Sequence, residues 1–185
     1  MAIKPDTKKI LANSLEDLLK TRSYEKITVQ EIVDHCSASR SVFYRHFKDK
    51  QDLMQWLFRV KMEVGFTTYE ESIQMRWESA HRVVEMLYEY RHIVKKLISD
   101  KGQNTFTDLL YEQGLMHTRN MLKTALKTEI LPVELDASVK MFVGGVTYTL
   151  TDWIQRGYPQ RPEDITNAII DNCPARLTFI LSNTI

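Results

Sequence analysis

The first apolar stripe of the chain predicts a helix close to its N-terminus. Leu11, Leu15 and Leu18 recur every three to four residues, which is the spacing of one helical face. Asp6 or Thr7 precedes the stripe, and either side chain can accept hydrogen bonds from the free N–H groups of a first turn. A polar connection, 24–26, is expected to follow this helix.

Two shorter helical patterns come next. Thr28 is followed three residues later by Glu31, which is the spacing of a capping box, and it opens a short helix that ends near residue 35. After a tight connection a third helix is predicted over about 39–47, with Phe43 and Phe47 on its buried face. Two short helices joined by about three residues and packed on another helix form a helix-turn-helix.

The remaining chain predicts longer helices and no strands. Its apolar positions keep helical spacing, and glycine and proline total only 11 residues. A loop is expected at 100–104, an interruption at Pro132 and a kink or break at Pro174. The expected helices are about 49–69, 76–99, 105–128, 134–156 and 162–182. The fold class is therefore all-α, with a three-helix N-terminal domain over 1–50 and a C-terminal helical bundle over 51–185.

Composition and charge remove several functional classes. The net charge is +1, with 11 Lys/Arg against 8 Asp/Glu in residues 1–60 and 14 against 16 in the rest, so a uniformly basic nucleic-acid coat is excluded. No apolar run is long enough to cross a membrane, and we expect a cytoplasmic protein. Cys36 and Cys173 do not suggest a disulfide framework. The five histidines lack metal-ligand spacing, and no catalytic or cofactor-binding motif is present, so neither a metal, a cofactor nor an enzyme is expected.

The start of the third predicted helix carries side chains that suit the major groove of DNA. A recognition helix places its N-terminal residues nearest the base edges. Arg40 can donate two hydrogen bonds to guanine, Ser41 can donate or accept, and Val42 can contact a thymine methyl group. Further groups that could reach phosphates follow directly: Tyr44, His46, Lys48 and Lys50.

Two sequence runs together resemble the TetR family of bacterial transcription regulators. They are Ile-Thr-Val-Gln-Glu-Ile-Val at 27–33 and Ser-Arg-Ser-Val-Phe-Tyr-Arg-His-Phe-Lys-Asp-Lys-Gln-Asp-Leu at 39–53. The family pattern is a threonine-capped second helix, a recognition helix ending Phe-Tyr-x-His-Phe, and then Lys-x-Lys-x-x-Leu. The resemblance covers roughly residues 7–57, and the remainder agrees in helical character and length.

The resemblance implies contacts to double-stranded DNA at a palindromic operator. The side chains implied to contact phosphates are Thr28, Tyr44, His46, Lys48 and Lys50. Those implied to read bases are Gln30, Arg40, Ser41, Val42 and Tyr44. It further implies a homodimer that places one helix in each of two successive major grooves about 34 Å apart.

The implied dimer interface is a four-helix bundle built from 134–156 and 162–182 of each subunit. Gly144 and Gly145 would permit close approach of helices, either between subunits or within one. Apolar residues flank them: Phe142, Val146, Leu150 and Trp153.

One position departs from the family pattern. The family usually has glycine in the turn before the recognition helix, where this chain has Ser37. A left-handed residue other than glycine costs about 1 kcal/mol or more. Either the turn geometry differs here or the packing absorbs the strain.

The resemblance also implies a small-molecule effector, most simply one that releases a repressor from its operator. Large, partly polar residues on the C-terminal helices are the candidates for its pocket: Trp77, His81, Tyr88, His117, Met121 and Tyr148. The helix over 49–69 joins both domains and is the expected lever between effector and DNA.

An alternative is a regulator, or an activator, that is switched by a protein partner. The C-terminal half resembles the branch of the family that includes the activator of dihydroxyacetone kinase genes, which works with a kinase-like coactivator. A closed, pocket-free C-terminal core would favour this alternative. A helical enzyme would need converging ionisable groups in a cleft, and the sequence offers none.

Overall fold

The computed structural model describes residues 6–67, 73–99 and 105–182, and over these ranges the chain is helical with no strand. The all-α prediction is confirmed. The helices are α1 Thr7–Leu19, α2 Val29–His35, α3 Arg40–His46, α4 Lys50–Thr67, α5 Ile73–Glu89, α6 Arg91–Ser99, α7 Phe106–Leu126, α8 Val133–Gln155, α9 Pro162–Asp171 and α10 Ala175–Ser182.

The chain divides into two compact units, Met1–Val60 and Lys61–Ile185. The sequence placed a boundary at residue 50, whereas the first unit runs on through the first turns of α4. Within this unit Leu11, Ile32 and Phe43 are fully buried. The Ser14 hydroxyl, on α1, donates to the Ile32 carbonyl oxygen at 2.7 Å and so ties α1 to α2.

The connection after α1 is not the purely polar segment that the sequence predicted. Tyr24–Lys26 forms a turn of 3₁₀-helix, and the Tyr24 ring is only 5% exposed. A lone aromatic residue between polar neighbours has no periodicity, so its burial could not be recognised from the pattern.

The turn between α2 and α3 contains a left-handed residue at Ser37, the position where the family usually has glycine. Ser37 has φ 54°, and the next amide, that of Ala38, donates to the Val33 carbonyl oxygen at 2.8 Å. This bond closes the C-terminus of α2. The chain therefore keeps the turn geometry and accepts the strain of a Cβ atom there.

The core of the second unit lies between α7, α8 and α10. Its buried cluster comprises Leu122, Leu131, Leu135, Val139, Val143, Leu177 and Leu181. Helix α7 packs closely on α8 at Gly114, where an added Cβ would lie 2.9 Å from Val143 Cγ1. Glycine is required there by space rather than by backbone conformation.

Two interruptions distinguish the observed helices from the predicted ones. The break at Pro174 is confirmed, because α9 ends at Asp171 and α10 begins at Ala175. The single helix predicted over 76–99 is wrong, since α5 and α6 separate at Tyr90. Arg91 donates from Nη1 to the Tyr88 carbonyl oxygen at 3.3 Å, and the Tyr158 hydroxyl donates to the Arg91 carbonyl oxygen at 3.1 Å. These contacts occupy carbonyl groups at the junction.

Candidate DNA-reading helix and effector cavity

Helix α3 buries one face and exposes the other. Phe43 and Phe47 are 0% and 3% exposed, and the Phe47 ring lies edge-on to Trp56 with centroids 5.9 Å apart. Trp56 itself is half-buried. The aromatic contacts hold α3 by its inner face, which leaves its outer face available to a partner.

The predicted base-reading side chains on α3 lie on its outer face. Arg40 and Ser41 are exposed in the first turn, and Val42 is half-buried. Ser39 caps this helix, with its Oγ accepting from the Val42 amide at 3.3 Å. Gln30 is exposed on α2, where its Nε2 donates to Asp34 Oδ1 at 2.7 Å and so fixes its direction.

The exposed groups for phosphates continue along the same surface. Tyr44 is 55% exposed, and His46 and Lys48 are also exposed. A capping arrangement follows, in which Asp49 Oδ1 accepts from the Asp52 amide at 2.9 Å, so the predicted start of α4 is confirmed. The side chain of Asp52 accepts in turn from the Lys48 amide at 3.0 Å and fixes the backbone there.

Thr28 forms the capping box that the sequence predicted. Its Oγ1 accepts from the Glu31 amide at 3.2 Å, while its own amide and hydroxyl donate to Glu31 Oε2 at 2.8 and 2.9 Å. The bond from the Thr28 amide, followed by the Arg22 guanidinium, lowers the pKa of the Glu31 carboxyl. A phosphate that accepts from the Thr28 hydroxyl would therefore replace a carboxylate oxygen.

Lys50 does not offer its ammonium group to a phosphate in this structure. Its Nζ donates to the carbonyl oxygens of Tyr24 and Ile27, the latter at 2.6 Å, and lies 4.1 Å from the centroid of the Tyr24 ring. The phosphate contact that the family resemblance implied for Lys50 would require these bonds to break, and it stays a prediction. Lys48 and Lys50 are two residues apart, and the sequence gives no signal of which of the two side chains turns inward.

The second unit contains a cavity of about 140 Å³ between α5, α7, α8, α9, α10 and the C-terminal part of α4. Its walls are mainly apolar, with a few polar side chains. The residues that line it include Met62, Trp77, Gln113, Gly114, His117, Met121, Val143, Thr147 and Cys173. Burial raises the pKa of the Cys173 thiol, which keeps that group neutral.

Three of the six predicted effector residues line this cavity: Trp77, His117 and Met121. The other three do not line it. The Nδ1 of His81 lies 3.0 Å from the Trp77 carbonyl oxygen, outside the cavity wall. Tyr88 stacks on Trp153 with centroids 6.2 Å apart, and Tyr148 is 76% exposed on α8. Sequence reasoning had no periodic signal for the Gln113 and Thr147 positions that the cavity includes.

An exposed stripe of residues runs along α8. Met141, Gly145 and Tyr148 are four and three residues apart and so share one helical face. Met141 is 79% exposed, and an added Cβ at Gly145 would meet nothing within 4 Å. We call these three residues the α8 stripe.

The four apolar residues predicted to flank a subunit interface are buried or half-buried in the second unit. Leu150 and Trp153 are 6% and 1% exposed, so they belong to the interior of the second unit rather than to its surface. Gly144 lies 3.9 Å from the Tyr111 ring of its own chain, measured from an added Cβ.

No described helix is both long and apolar enough to cross a membrane. Within the same residues, no three His, Cys, Asp or Glu side chains are grouped so as to hold a metal ion.

Helices α1 to α3 of the first unit form a helix-turn-helix, and a helical second unit follows. This combination defines a class of DNA-binding transcription regulators. Residues 13–56 match the family model for bacterial regulatory proteins of the tetR family, and residues 76–172 match the model for a TetR-type transcriptional regulator C-terminal region. The chain therefore belongs to the TetR family of transcription regulators.

One curated relative matches part of the sequence, and solved structures share the fold. The HTH-type dhaKLM operon transcriptional activator DhaS of Lactococcus lactis subsp. lactis (strain IL1403) is 33% identical over 52 residues, which is 28% of each chain. A solved structure of a dihydroxyacetone kinase operon activator DhaS superposes with a TM-score of 0.66 at 18% identity, covering 97% of this chain and 100% of that one. A TetR regulator from Rhodococcus sp. RHA1 gives 0.64 at 16% identity, covering 96% and 97%.

Proposed function

We propose that this regulator binds a palindromic operator as a homodimer and that a small molecule in the second-unit cavity changes its affinity for DNA. The observation that carries the DNA-reading part is the outer face of α3. Arg40, Ser41 and Tyr44 are exposed there, while Phe43 and Phe47 hold the helix from behind. In the proposed complex Arg40 donates to guanine O6 and N7, and Gln30, Ser41, Val42 and Tyr44 complete the base contacts.

The proposed phosphate contacts come from Tyr44, His46, Lys48 and the N-terminal turn of α2 at Thr28. Tyr44 and Lys48 are supported by their exposure beside α3. Lys50 is left out because its ammonium group bonds to backbone carbonyls. Phosphate contacts position the protein on the duplex, and base contacts select the sequence.

The proposed dimer uses the α8 stripe, with α9 and α10 at its sides. Met141 and Tyr148 are large apolar side chains that α8 leaves in water, and Phe179 on α10 is 70% exposed. Gly145 would let the partner helix come close. A two-fold arrangement brings the same patch of both copies together, so each exposed side chain counts twice.

The proposed effector acts by population shift, with α4 as the lever. A ligand changes DNA affinity only if it binds the DNA-competent and incompetent states with different free energies. In this proposal the protein is a repressor, and the ligand favours the conformational state that dissociates from the operator. As a regulator of a bacterial chromosome the protein would work in the cytoplasm.

The experiment is selection of DNA from a random pool by the full-length protein, followed by anisotropy titrations on the selected site over a range of salt concentrations. Arg40→Ala is expected to lose about 1–3 kcal/mol of discrimination at one base pair of each half-site. Tyr44→Phe is expected to weaken binding on all sequences. Arg156→Ala is the matched control. Arg156 is an exposed arginine outside α3, and its ion pair with Asp152 is long, at 3.6 Å, so its loss should change little else. Unchanged preference in Arg40→Ala and unchanged affinity in Tyr44→Phe would contradict the assignment of α3.

A second candidate is an activator that is switched by a protein partner. It is favoured by the similarity to a protein named a transcriptional activator, although that similarity lies within 28% of the chain. The cavity favours the small-molecule form. Transcription from the selected site, measured in vitro with and without this protein, gives the sign of regulation directly.

A further inference from the structure

The side-chain amide of Gln113 is buried in the wall of the cavity with its carbonyl oxygen unpaired. Gln113 is 6% exposed, and no donor in the described part of the chain reaches its Oε1 atom. A buried acceptor without a partner carries the full cost of losing its hydrogen bonds to water. Such a group calls for an explanation, and a ligand that donates a hydrogen bond supplies one.

The rest of the wall determines the charge of that ligand. No Asp, Glu, Lys or Arg is among the residues that line the cavity, all of which are in the described ranges. Burial keeps the Cys173 thiol protonated by raising its pKa. His117, whose neutral imidazole can both donate and accept hydrogen bonds, also lines the wall. A charged ligand would lose its hydration without gaining an opposite charge from Asp, Glu, Lys or Arg, which is strongly unfavourable. The ligand is therefore uncharged.

The volume limits the size of the ligand. The cavity measures about 140 Å³. An engineered apolar cavity of roughly 150 Å³ takes up benzene, so a body of about one six-membered ring fits here. The Trp77 ring and the Met121 side chain offer apolar contacts to such a body.

We infer that the second unit binds a neutral molecule of about one ring that carries a hydroxyl or N–H group, and that this group donates to Gln113 Oε1. The inference rests on the proposed function only in taking the cavity as the effector site. The ligand class itself follows from the unpaired acceptor, the absence of Asp, Glu, Lys and Arg from the wall, and the volume.

Calorimetric titration of the full-length protein with phenol and with toluene tests the inference without DNA. The two probes have similar size and both are uncharged at pH 7, but only phenol donates a hydrogen bond. Phenol is expected to bind about tenfold more tightly than toluene, as one hydrogen bond to a buried acceptor predicts. Equal affinities, or no binding of either probe, would overturn the inference.

Gln113→Leu removes the acceptor at similar size. Its affinity for phenol is expected to fall about tenfold, and the preference for phenol over toluene should disappear. Gln155→Leu is the matched control, because Gln155 is exposed near the end of α8 and outside the cavity, and it should keep the preference. Discrimination that persists in Gln113→Leu rejects Gln113 as the acceptor.

Thermal melting of the ligand-free variants separates a binding role from a structural one. Loss of an unpaired buried acceptor should raise the melting temperature of Gln113→Leu above that of the parent. A variant that melts earlier or fails to fold means that the amide serves the fold, and this also refutes the inference. If phenol binds as expected but leaves DNA affinity unchanged, the ligand class stands and the proposed regulation fails.

Discussion

The left-handed residue in the turn before α3 gives a test at the scale of a single side chain. Ser37 has φ 54°, which glycine adopts without the Cβ strain. Ser37→Gly is expected to increase the free energy of unfolding by about 0.5–1 kcal/mol, after the greater entropy of unfolded glycine is allowed for. Urea unfolding followed by circular dichroism measures the change.

The same substitution at Ser41 is the control for Ser37→Gly. Ser41 is exposed inside α3, where glycine weakens a right-handed helix by about 0.5 kcal/mol. Ser41→Gly should therefore destabilise the protein. If both variants shift in the same direction, the strain at Ser37 is not significant.

Lys48 and Lys50 provide a matched pair with different expected effects. Lys50→Met removes a charged donor from two carbonyl oxygens and should lower the free energy of unfolding by about 2 kcal/mol. Lys48→Met should leave stability almost unchanged and reduce the salt dependence of DNA binding by about one phosphate contact. Unfolding curves and salt titrations on the selected operator provide both readouts. The reverse assignment of effects would contradict the inward direction of Lys50.

At the scale of elements, an ion pair connects α7 to the first turn of α8. Arg119 donates from Nε to Asp136 Oδ1 at 2.7 Å, and the Lys140 ammonium lies 2.9 Å from the other carboxylate oxygen. The bond from Arg119, followed by that from Lys140, lowers the pKa of Asp136 from 3.8 to about 2. A lowered carboxyl pKa contributes stability above the unfolded value, and this contribution disappears as the pH falls towards the folded value.

Asp136→Asn is therefore expected to destabilise the protein at pH 5 and to lose less further stability than the parent between pH 4 and pH 2. Urea unfolding across this interval measures the difference. Asp171→Asn, at the exposed end of α9, controls for the loss of a surface carboxylate. Parallel profiles for the parent and Asp136→Asn would show that the pair does not join the helices energetically.

Features fixed by residues that are neighbours in the sequence could be predicted, and features fixed by contacts between distant segments could not. The capping box at Thr28 and the break at Pro174 were predicted, because each is fixed by residues adjacent in sequence. The break at Tyr90 was missed because Leu87 and Val94, two turns apart, continue the same apolar stripe across it. The inward turn of Lys50 and the burial of Gln113 depend on contacts between distant segments, which spacing along the chain does not encode.

At the scale of the whole molecule, the proposed dimer predicts a change in mass. Met141→Arg and Tyr148→Arg each place two charges in the proposed interface, one from each subunit. Each is expected to weaken dimerisation by about 3 kcal/mol or more, which is roughly a hundredfold. Sedimentation equilibrium measures the monomer–dimer distribution directly.

Ile130→Arg is the control for the dimer test. Ile130 is 80% exposed, as much as Met141 at 79%, but it lies before α8 and off the α8 stripe. The Ile130→Arg variant should therefore dimerise as strongly as the parent. A monomeric parent, or equal loss in all three variants, would exclude the α8 stripe as the interface.

The close approach of α7 to α8 limits how the cavity can diverge in descendants of this protein. A Cβ at Gly114 would lie 2.9 Å from Val143 Cγ1, so that wall cannot gain bulk without a shift of its neighbours. Met62 and Met121 are unbranched side chains elsewhere on the wall, and shorter residues there would enlarge the space without moving a helix. Lineages that come to recognise bulkier compounds are therefore expected to retain Gly114 and to vary first at the two methionines.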